Sequence, residues 1–282
     1  MKLGYFNDFR VGVVKGDAIV DVTSVVQDIP HTGPGDLMNA LIGRFDAYRP
    51  KIEAAVASGS GVPLASVRIR PPLPKPVNID CMAVNYMEDG TRSEPALINA
   101  FHKSPGAIIG NGDTMVLPDA PATIFEGEAE LALVIGKRAS HVSQANALDC
   151  IFGYTNFIDG SARGLPAGGF FHMKSRDTFA PIGPFIVTKD EIPDPHVLDI
   201  SLEIGGEILQ NSNTRELIFR IPELIEFISS VVTLEPGDII STGTPSGVGF
   251  ARKPPRYLKD GDECIVRIQG LGELRNPVVA EK

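Results

Sequence analysis

Glycine and proline recur so often along this chain that it cannot consist mainly of long helices. Its 282 residues include 29 glycines and 23 prolines, about one and a half times the share in an average globular protein. Both residues are costly in a helix interior and common in turns. The pattern therefore predicts many short strands joined by turns. The densest interruption is the proline-rich stretch 70–77, where we expect the boundary between a small N-terminal domain (1–70) and a main domain (71–282).

Local patterns predict individual elements on both sides of this boundary. Three N-terminal segments have strand-like composition: 1–6, 11–14 and 18–22. Asp36 is placed to cap a helix, and Pro50 to open a second one. Gly205-Gly206 predicts a hairpin turn, and 222–231 has the apolar spacing of an amphipathic helix. Together these segments predict a strand-rich chain with a few helices and a small N-terminal α/β part.

Charge and cysteine content exclude several classes of protein. The formal net charge is −9 and no run of lysine or arginine occurs, which argues against nucleic acid as a partner. Cys81, Cys150 and Cys264 are too few and too scattered for a disulfide framework or a clustered zinc site. No apolar run reaches the roughly 18 residues of a membrane span, and the N-terminus lacks the apolar stretch of a signal peptide. We therefore predict a cytoplasmic protein that binds no membrane.

Three glutamates alternate with apolar residues near the middle of the chain. In a strand, Glu126, Glu128 and Glu130 share one face. The apolar side chains at 131, 133 and 135 lie on the other. Carboxylates this close repel one another unless water or a cation relieves them, and hard divalent cations prefer oxygen ligands. The pattern fits either a solvated strand face or a metal site.

A further acid follows an apolar run at Asp159, with Arg163 four residues later and Lys174 beyond it. Burying an acid without a partner is costly. Arg163 could pair with Asp159 structurally, or it could hold a substrate carboxylate through two hydrogen bonds. Lys174 supplies a second cation, although a single lysine indicates little by itself.

Taken in order, these segments resemble the fumarylacetoacetate hydrolase superfamily, from about Cys81 to the C-terminus. The matching motifs are Asn85-Tyr86, Phe101-His102-Lys103, Glu128-Ala129-Glu130-Leu131, Val134-Ile135-Gly136-Lys137, Asp159-Gly160-Ser161-Ala162-Arg163, Lys174, Gly183-Pro184, Leu234-Glu235-Pro236-Gly237-Asp238 and Thr242-Gly243-Thr244-Pro245. The resemblance implies an α+β fold of mixed β-sheets arranged as a β-rich roll. It also implies a homodimer.

The resemblance further implies roles for individual residues. The ligands of an Mg²⁺ or Mn²⁺ ion would be Glu128, Glu130 and Asp159, with Glu126 a neighbouring or solvent-facing residue. The substrate would be a small anionic 2-oxo or β-diketo acid, contacted by Arg163, Lys174, Thr244 and Tyr86. Members of the superfamily hydrolyse carbon–carbon bonds, isomerise unsaturated 2-oxo diacids or decarboxylate oxaloacetate-like acids, and all three reactions pass through an enolate that metal and cations stabilise.

The chain departs from the hydrolytic pattern at the residues that activate water. That pattern has a histidine and, three residues later, a glutamate after Asn-Tyr, whereas this chain has Asp89 and Arg92 there. Asp89 is then the candidate catalytic base, and His102 or His172 could approach from another loop. A second departure is Gly164-Leu165-Pro166, where the family often carries a glutamine.

These observations predict a metal-dependent enzyme that cleaves a carbon–carbon bond in a small diketo acid, with Arg163 and Lys174 polarising the substrate. An isomerase, tautomerase or decarboxylase on the same site is the alternative that the missing histidine favours. A binder of metal and small acids without catalysis is a third possibility, weakened by the intact cation positions.

Overall fold

The structure is a computed structural model, and it describes residues 1–88 and 93–282. Asp89, the predicted base, and Arg92 lie outside the described residues. Nothing in the structure therefore bears on the role predicted for Asp89, which stays a prediction.

The N-terminal part combines antiparallel strands with three helices, as the predicted α/β unit requires. Its strands are β1 (Lys2–Phe6), β2 (Arg10–Lys15), β3 (Ala18–Asp21), β4 (Val62–Pro63) and β5 (Ile69–Arg70). Its helices are α1 (Thr23–Val26), α2 (Pro34–Gly43) and α3 (Phe45–Ser58). The three predicted N-terminal strands are confirmed as β1, β2 and β3.

The predicted starts of the two N-terminal helices are wrong. Asp36 is the third residue of α2 and not its cap, because the helix begins at Pro34 after the extended Gly33. Pro50 lies inside α3 and does not open a helix. A proline in a helix interior costs about 3 kcal/mol, but buried Tyr48 and Ile52 flank Pro50 on the apolar side of α3. Packing of this side against the core outweighs the lost hydrogen bond.

Beyond Arg70 the described chain is dominated by strands. They are β6 (Ile79–Met82), β7 (Ala100–His102), β8 (Ile108–Ile109), β9 (Met115–Leu117), β10 (Ile124–Glu126), β11 (Ala129–Ile135), β12 (Ile151–Ile158), β13 (Ser161–Arg163), β14 (Ala180–Thr188), β15 (Asp199–Ile204), β16 (Glu207–Asn213), β17 (Ile239–Ser241), β18 (Glu263–Ile268) and β19 (Gly272–Ala280). The helices are α4 (Gln144–Ala147), α5 (Gly169–Lys174) and α6 (Ile221–Val231). The predicted helix at 222–231 is confirmed as α6, and the predicted hairpin joins β15 to β16.

The strands form mixed sheets, as predicted. Twelve of them make one sheet in the order β4-β3-β2-β1-β14-β12-β11-β17-β6-β7, with β5 beside β1 and β8 beside β14. Five more make the sheet β16-β15-β18-β19-β9, and β10 pairs with β13. Because β1 pairs with β14 through Lys2 and Val187, the large sheet runs across the expected boundary at residue 70. The division into two domains stays a prediction.

Strand β11 lies in the middle of the large sheet and is buried on both faces. Leu131 and Leu133 belong to one apolar core, and Ala132 and Val134 belong to another on the opposite face. A strand covered on both sides has a near-continuous apolar sequence, which explains the run at 131–135. The charged residues that precede this run therefore lie in the protein interior, at the N-terminal end of β11.

The helices within 1–88 and 93–282 include none with the length and apolar character needed to cross a bilayer.

Candidate active site

Antiparallel pairing of β11 with β12 brings three carboxylates together. Ala129 is paired with Ile158, so the residues next to that pair, Glu128 and Asp159, are neighbours at the end of the ladder. The Asp159 amide donates to the Glu128 carbonyl oxygen at 2.9 Å. Glu130 lies in β11 itself, and one oxygen from each of Glu128, Glu130 and Asp159 lies within 4.8 Å of the others. The sheet register thus assembles the predicted ligand set.

The alternative of a solvated strand face is wrong, because Glu126, Glu128 and Glu130 are 2%, 5% and 1% exposed. The three also do not lie in one strand. The strand breaks at Gly127 and Glu128, since β10 pairs with β13 whereas β11 pairs with β12 and β17. Glu126 therefore belongs to a separate two-stranded sheet. It is neither solvent-facing nor part of the carboxylate triad.

Two buried lysines neutralise Asp159. Lys103 Nζ lies 2.7 Å from Asp159 Oδ1, and Lys174 Nζ pairs with Asp159 Oδ2. Lys174 also lies 2.9 Å from Glu128 Oε2. It is the last residue of α5, whereas Lys103 directly follows β7. The sequence pattern predicts Lys174 at this site but no role for Lys103. The signal that could have found it is its position inside the family-like motif at 101–103.

Arg163 pairs with two glutamates and not with Asp159. Its Nη2 lies 2.8 Å from Glu128 Oε1, and its Nε donates to Glu126. The structural pairing of Arg163 with Asp159, one of the two predicted alternatives, is therefore wrong. Glu126 also accepts a hydrogen bond from the Phe250 amide, and the Phe250 ring lies under the guanidinium at 4.8 Å. Arg163 is thus held in place from two sides.

Burial and charge act in opposite directions on these groups. Burial raises the pKa of Glu130 well above its ordinary value, and the negative charges of Asp159 and Glu128 raise it further. Burial also raises the pKa of Glu128, against the effect of Lys174. Burial disfavours the charged form of Asp159, but Lys103 and Lys174 outweigh it and lower the pKa of that acid. Burial also disfavours the charged form of Lys174, but Asp159 and Glu128 outweigh this effect and raise the pKa of Lys174. Lys174 is therefore a stable ammonium.

The oxygen atoms of these three carboxylates fit a hard divalent cation. Each carboxylate oxygen can accept about two hydrogen bonds or ligand contacts. Glu130 Oε2 accepts from Ser241 and Gly243, while no described residue donates to its Oε1. Glu128 Oε2 and both Asp159 oxygens accept one lysine hydrogen bond each. All three carboxylates therefore keep lone pairs for a cation, and its charge would relieve the repulsion that raises the pKa of Glu130.

These groups line a cavity of about 600 Å³, within the usual size range of small-molecule sites. Tyr86 and Thr244 line it too, so the structure brings together every predicted site residue that it describes. The Tyr86 hydroxyl is buried and has no hydrogen-bond partner among the described residues. The Thr244 hydroxyl donates to the Ala129 carbonyl and accepts from Gln210. The Tyr86 hydroxyl therefore keeps an unused donor, while the Thr244 hydroxyl is engaged by the protein.

Neither candidate histidine reaches this cavity. His102 is exposed, pairs with Asp80 at 3.1 Å and does not line the cavity. His172 is exposed and contacts the Ala167 carbonyl. Within the part of the chain that the structure describes, the cavity lining contains no histidine. The hypothesis that one of them replaces the missing histidine gains no support.

Comparison with known proteins agrees with this geometry. The fumarylacetoacetate (FAA) hydrolase C-terminal family matches residues 79–279. The chain belongs to the fumarylacetoacetate hydrolase family. This range contains the triad, both lysines and Arg163. The resemblance noted from the sequence is confirmed, and with it the mixed-sheet fold of the family.

Relatives of this fumarylacetoacetate hydrolase family enzyme carry out different reactions. The mitochondrial oxaloacetate tautomerase FAHD2A of Bos taurus is 36% identical over 275 residues, covering 94% of this chain and 85% of that protein. Maleylpyruvate hydrolase from Sphingobium sp. SYK-6, crystallised with manganese(II) and pyruvate, is 38% identical with a TM-score of 0.89 over both full chains. The 5-carboxymethyl-2-hydroxymuconate delta-isomerase of Mycobacterium smegmatis is 31% identical with a TM-score of 0.77, also over both full chains.

These likenesses show that the chain is an enzyme of this family, with a carboxylate triad able to hold a divalent metal. The choice between Mg²⁺ and Mn²⁺, the homodimer and the cytoplasmic location stay predictions.

Proposed function

We propose that this enzyme is a divalent-metal-dependent tautomerase or isomerase of small 2-oxo acids. The observation that carries the proposal is the position of the Lys174 ammonium, bonded to Glu128 and Asp159 in a cavity whose described lining contains no histidine. Such a site can stabilise an enolate, which tautomerisation requires. Its described lining lacks the histidine with which the family pattern activates water for hydrolysis. The oxaloacetate tautomerase among the relatives supports the same choice.

Glu128, Glu130 and Asp159 would hold the metal, and a bound Mg²⁺ or Mn²⁺ would act as a Lewis acid on the 2-oxo group. Lys174 uses two of its three N–H bonds on Glu128 and Asp159 and keeps one for the substrate. Arg163 likewise keeps N–H groups beyond those bonded to Glu126 and Glu128. Both cations can therefore bind a substrate carboxylate or enolate oxygen without breaking their existing contacts.

In the direction that forms the enol, tautomerisation removes one proton from the carbon beside the 2-oxo group and adds one to the oxygen, and ketonisation is the reverse of this step. Burial raises the pKa of Tyr86, and the charge of Glu130 adds to it, so Tyr86 is neutral and its unpartnered hydroxyl can donate to a substrate oxygen. Asp89 remains the predicted base for the carbon. The chain thus offers a donor and cations for the oxygen side of the reaction.

Hydrolysis of an acylpyruvate is the second candidate. It is favoured by the likeness to maleylpyruvate hydrolase over the whole of both chains. This reaction adds water across a carbon–carbon bond and releases a carboxylic acid together with a 2-oxo acid. Decarboxylation of an oxaloacetate-like acid would use the same enolate and release CO₂.

Two assays on the full chain loaded with Mn²⁺ or Mg²⁺ separate these reactions. One uses enol-oxaloacetate as substrate, and the other uses acetylpyruvate. We expect ketonisation of enol-oxaloacetate well above the rate without enzyme, and no acetate from acetylpyruvate. Lys174→Met is the matched inactive control. Acetate release without any acceleration of ketonisation would establish hydrolysis and contradict the proposal.

A further inference from the structure

Two aromatic rings stack on the wall of the cavity and have no role in the chemistry described so far. Phe101 and Phe170 lie with ring centroids 4.7 Å apart and ring planes 7° from parallel. Both line the cavity, and Phe170 keeps 39% of its surface exposed. A flat aromatic surface that remains open to the cavity can bind a planar apolar group.

The stack lies directly beside the cationic end of the site. Phe101 is the middle residue of β7, and Phe170 is one helical turn before Lys174 in α5. Lys174 Nζ lies 5.4 Å from the centre of the Phe101 ring. A ligand whose carboxylate or enolate oxygen meets Lys174 would therefore have its neighbouring carbon atoms next to the rings.

Other apolar side chains also line the cavity. They include Met82, Val84, Met173, Val248 and Phe250. Methionine sulfur atoms and aromatic rings pack favourably against unsaturated groups. The cavity of about 600 Å³ is larger than a four-carbon diacid fills, so such a substrate would leave most of this wall uncovered.

The described cations offer little to a second carboxylate at this wall. Arg163 and Lys174 pair with Glu126, Glu128 and Asp159, and the N–H groups that they keep are used by the 2-oxo acid end of the substrate. Glu88, another lining residue, is an acid and supplies no hydrogen-bond donor for a substrate carboxylate. An apolar substituent meets neither obstacle.

We propose that Phe101 and Phe170 form a subsite for a planar, unsaturated substituent of the substrate. This subsite rests on the proposed function, because it serves the same 2-oxo acid substrate. The preferred substrates are then 2-oxo acids with an aromatic or alkenyl group beside the reacting carbon, such as phenylpyruvate. Phe170 determines this specificity, because it is the more exposed ring of the pair. The carboxylate triad and cations bind the 2-oxo acid end alike in all substrates.

Calorimetry on the full chain loaded with Mn²⁺ tests the proposal with three ligands: oxalate, pyruvate and phenylpyruvate. We expect phenylpyruvate to bind at least tenfold more tightly than pyruvate. Phe170→Ala should reduce this ratio to about threefold or less and leave oxalate affinity unchanged. Phe171→Ala is the matched control, since Phe171 is 69% exposed and does not line the cavity. It should keep the ratio of the unaltered protein.

The results distinguish this inference from the proposed function. If oxalate fails to bind the Mn²⁺-loaded protein, the proposed function itself is overturned. If oxalate binds but the ratio is the same with and without Phe170, only the subsite is overturned. An equal loss of oxalate and phenylpyruvate affinity in Phe170→Ala also overturns the subsite, because Phe170 would then merely position Lys174. Phe101→Leu, which keeps an apolar side chain at β7, should lower the ratio in the same direction.

Discussion

Lys103 Nζ lies 2.7 Å from Asp159 Oδ1, and both side chains are sealed from solvent. The same ammonium donates to the Gly160 carbonyl at 3.1 Å and to the carbonyl of Lys174. All three of its N–H bonds are therefore used within the protein. Lys103 holds Asp159 and the end of α5 in place and has no donor left for a substrate.

Replacing Lys103 by Met should destabilise the protein by about 3–5 kcal/mol, because it leaves the Asp159 charge buried with one partner fewer. Urea unfolding at pH 7 measures this loss. The double variant Lys103→Met with Asp159→Asn should recover part of it, since the unpaired charge is then removed. A loss below about 1 kcal/mol in the single variant would show that the pair contributes little.

Asp159→Asn should weaken Mn²⁺ binding by at least about 100-fold. Substitution of a residue that only supports a metal ligand costs about 10- to 100-fold in affinity, and loss of a ligand should cost no less. Calorimetric titration of the purified variant measures the affinity. Asp190→Asn is the control, because Asp190 is a surface acid paired with Arg49. Unchanged affinity in Asp159→Asn would remove this residue from the ligand set.

Tyr86→Phe should make the protein slightly more stable and less active. The buried hydroxyl has no partner among the described residues, and an unsatisfied buried polar group costs about 1–3 kcal/mol. We expect a gain of up to about 1 kcal/mol in unfolding free energy, measured with urea. The turnover rate should fall roughly 100-fold, at the lower end of the range for loss of a positioned proton donor. An unaltered rate would exclude Tyr86 from the proton transfer.

Asp80 should make the protein less stable as the pH rises from about 4 to 6. Burial raises the pKa of Asp80 to about 6, despite the nearby His102. The unfolded chain therefore loses its proton first, near the ordinary value of about 3.9. Stability from the protonated acid is complete below that pH and is lost as the pH rises through 6.

The comparison of Asp80→Asn with the unaltered protein isolates this effect, because the variant cannot ionise at this position. The free energy of unfolding, measured with urea, should fall less between pH 5 and pH 8 for the variant than for the unaltered protein. The difference should be about 1–2 kcal/mol. Equal decreases in the two proteins would mean that Asp80 ionises as readily in the folded state as in the unfolded chain.

Local patterns predicted those parts of the fold whose geometry depends on neighbouring residues. The hairpin turn is one, since Gly205 and Gly206 both adopt positive φ, at 57° and 85°, as a two-residue turn of this kind requires. Helix α6 is another, because its apolar spacing and Pro222 lie within one short segment. Pro50 shows the limit: only packing against the core explains how α3 continues through it.

The sequence by itself determined the family, the strand-rich fold and the identity of Glu128, Glu130, Asp159, Arg163 and Lys174 as a group. The resemblance of the motifs around them to the family groups these residues, and those motifs are visible in the printed chain. The tertiary structure decided which charges meet. It placed Arg163 on Glu126 and Glu128, brought Lys103 to Asp159 across 56 positions, and left His102 and His172 outside the cavity. Buried charges must be paired, but the choice of partner depends on sheet register and strand order, which no local pattern contains.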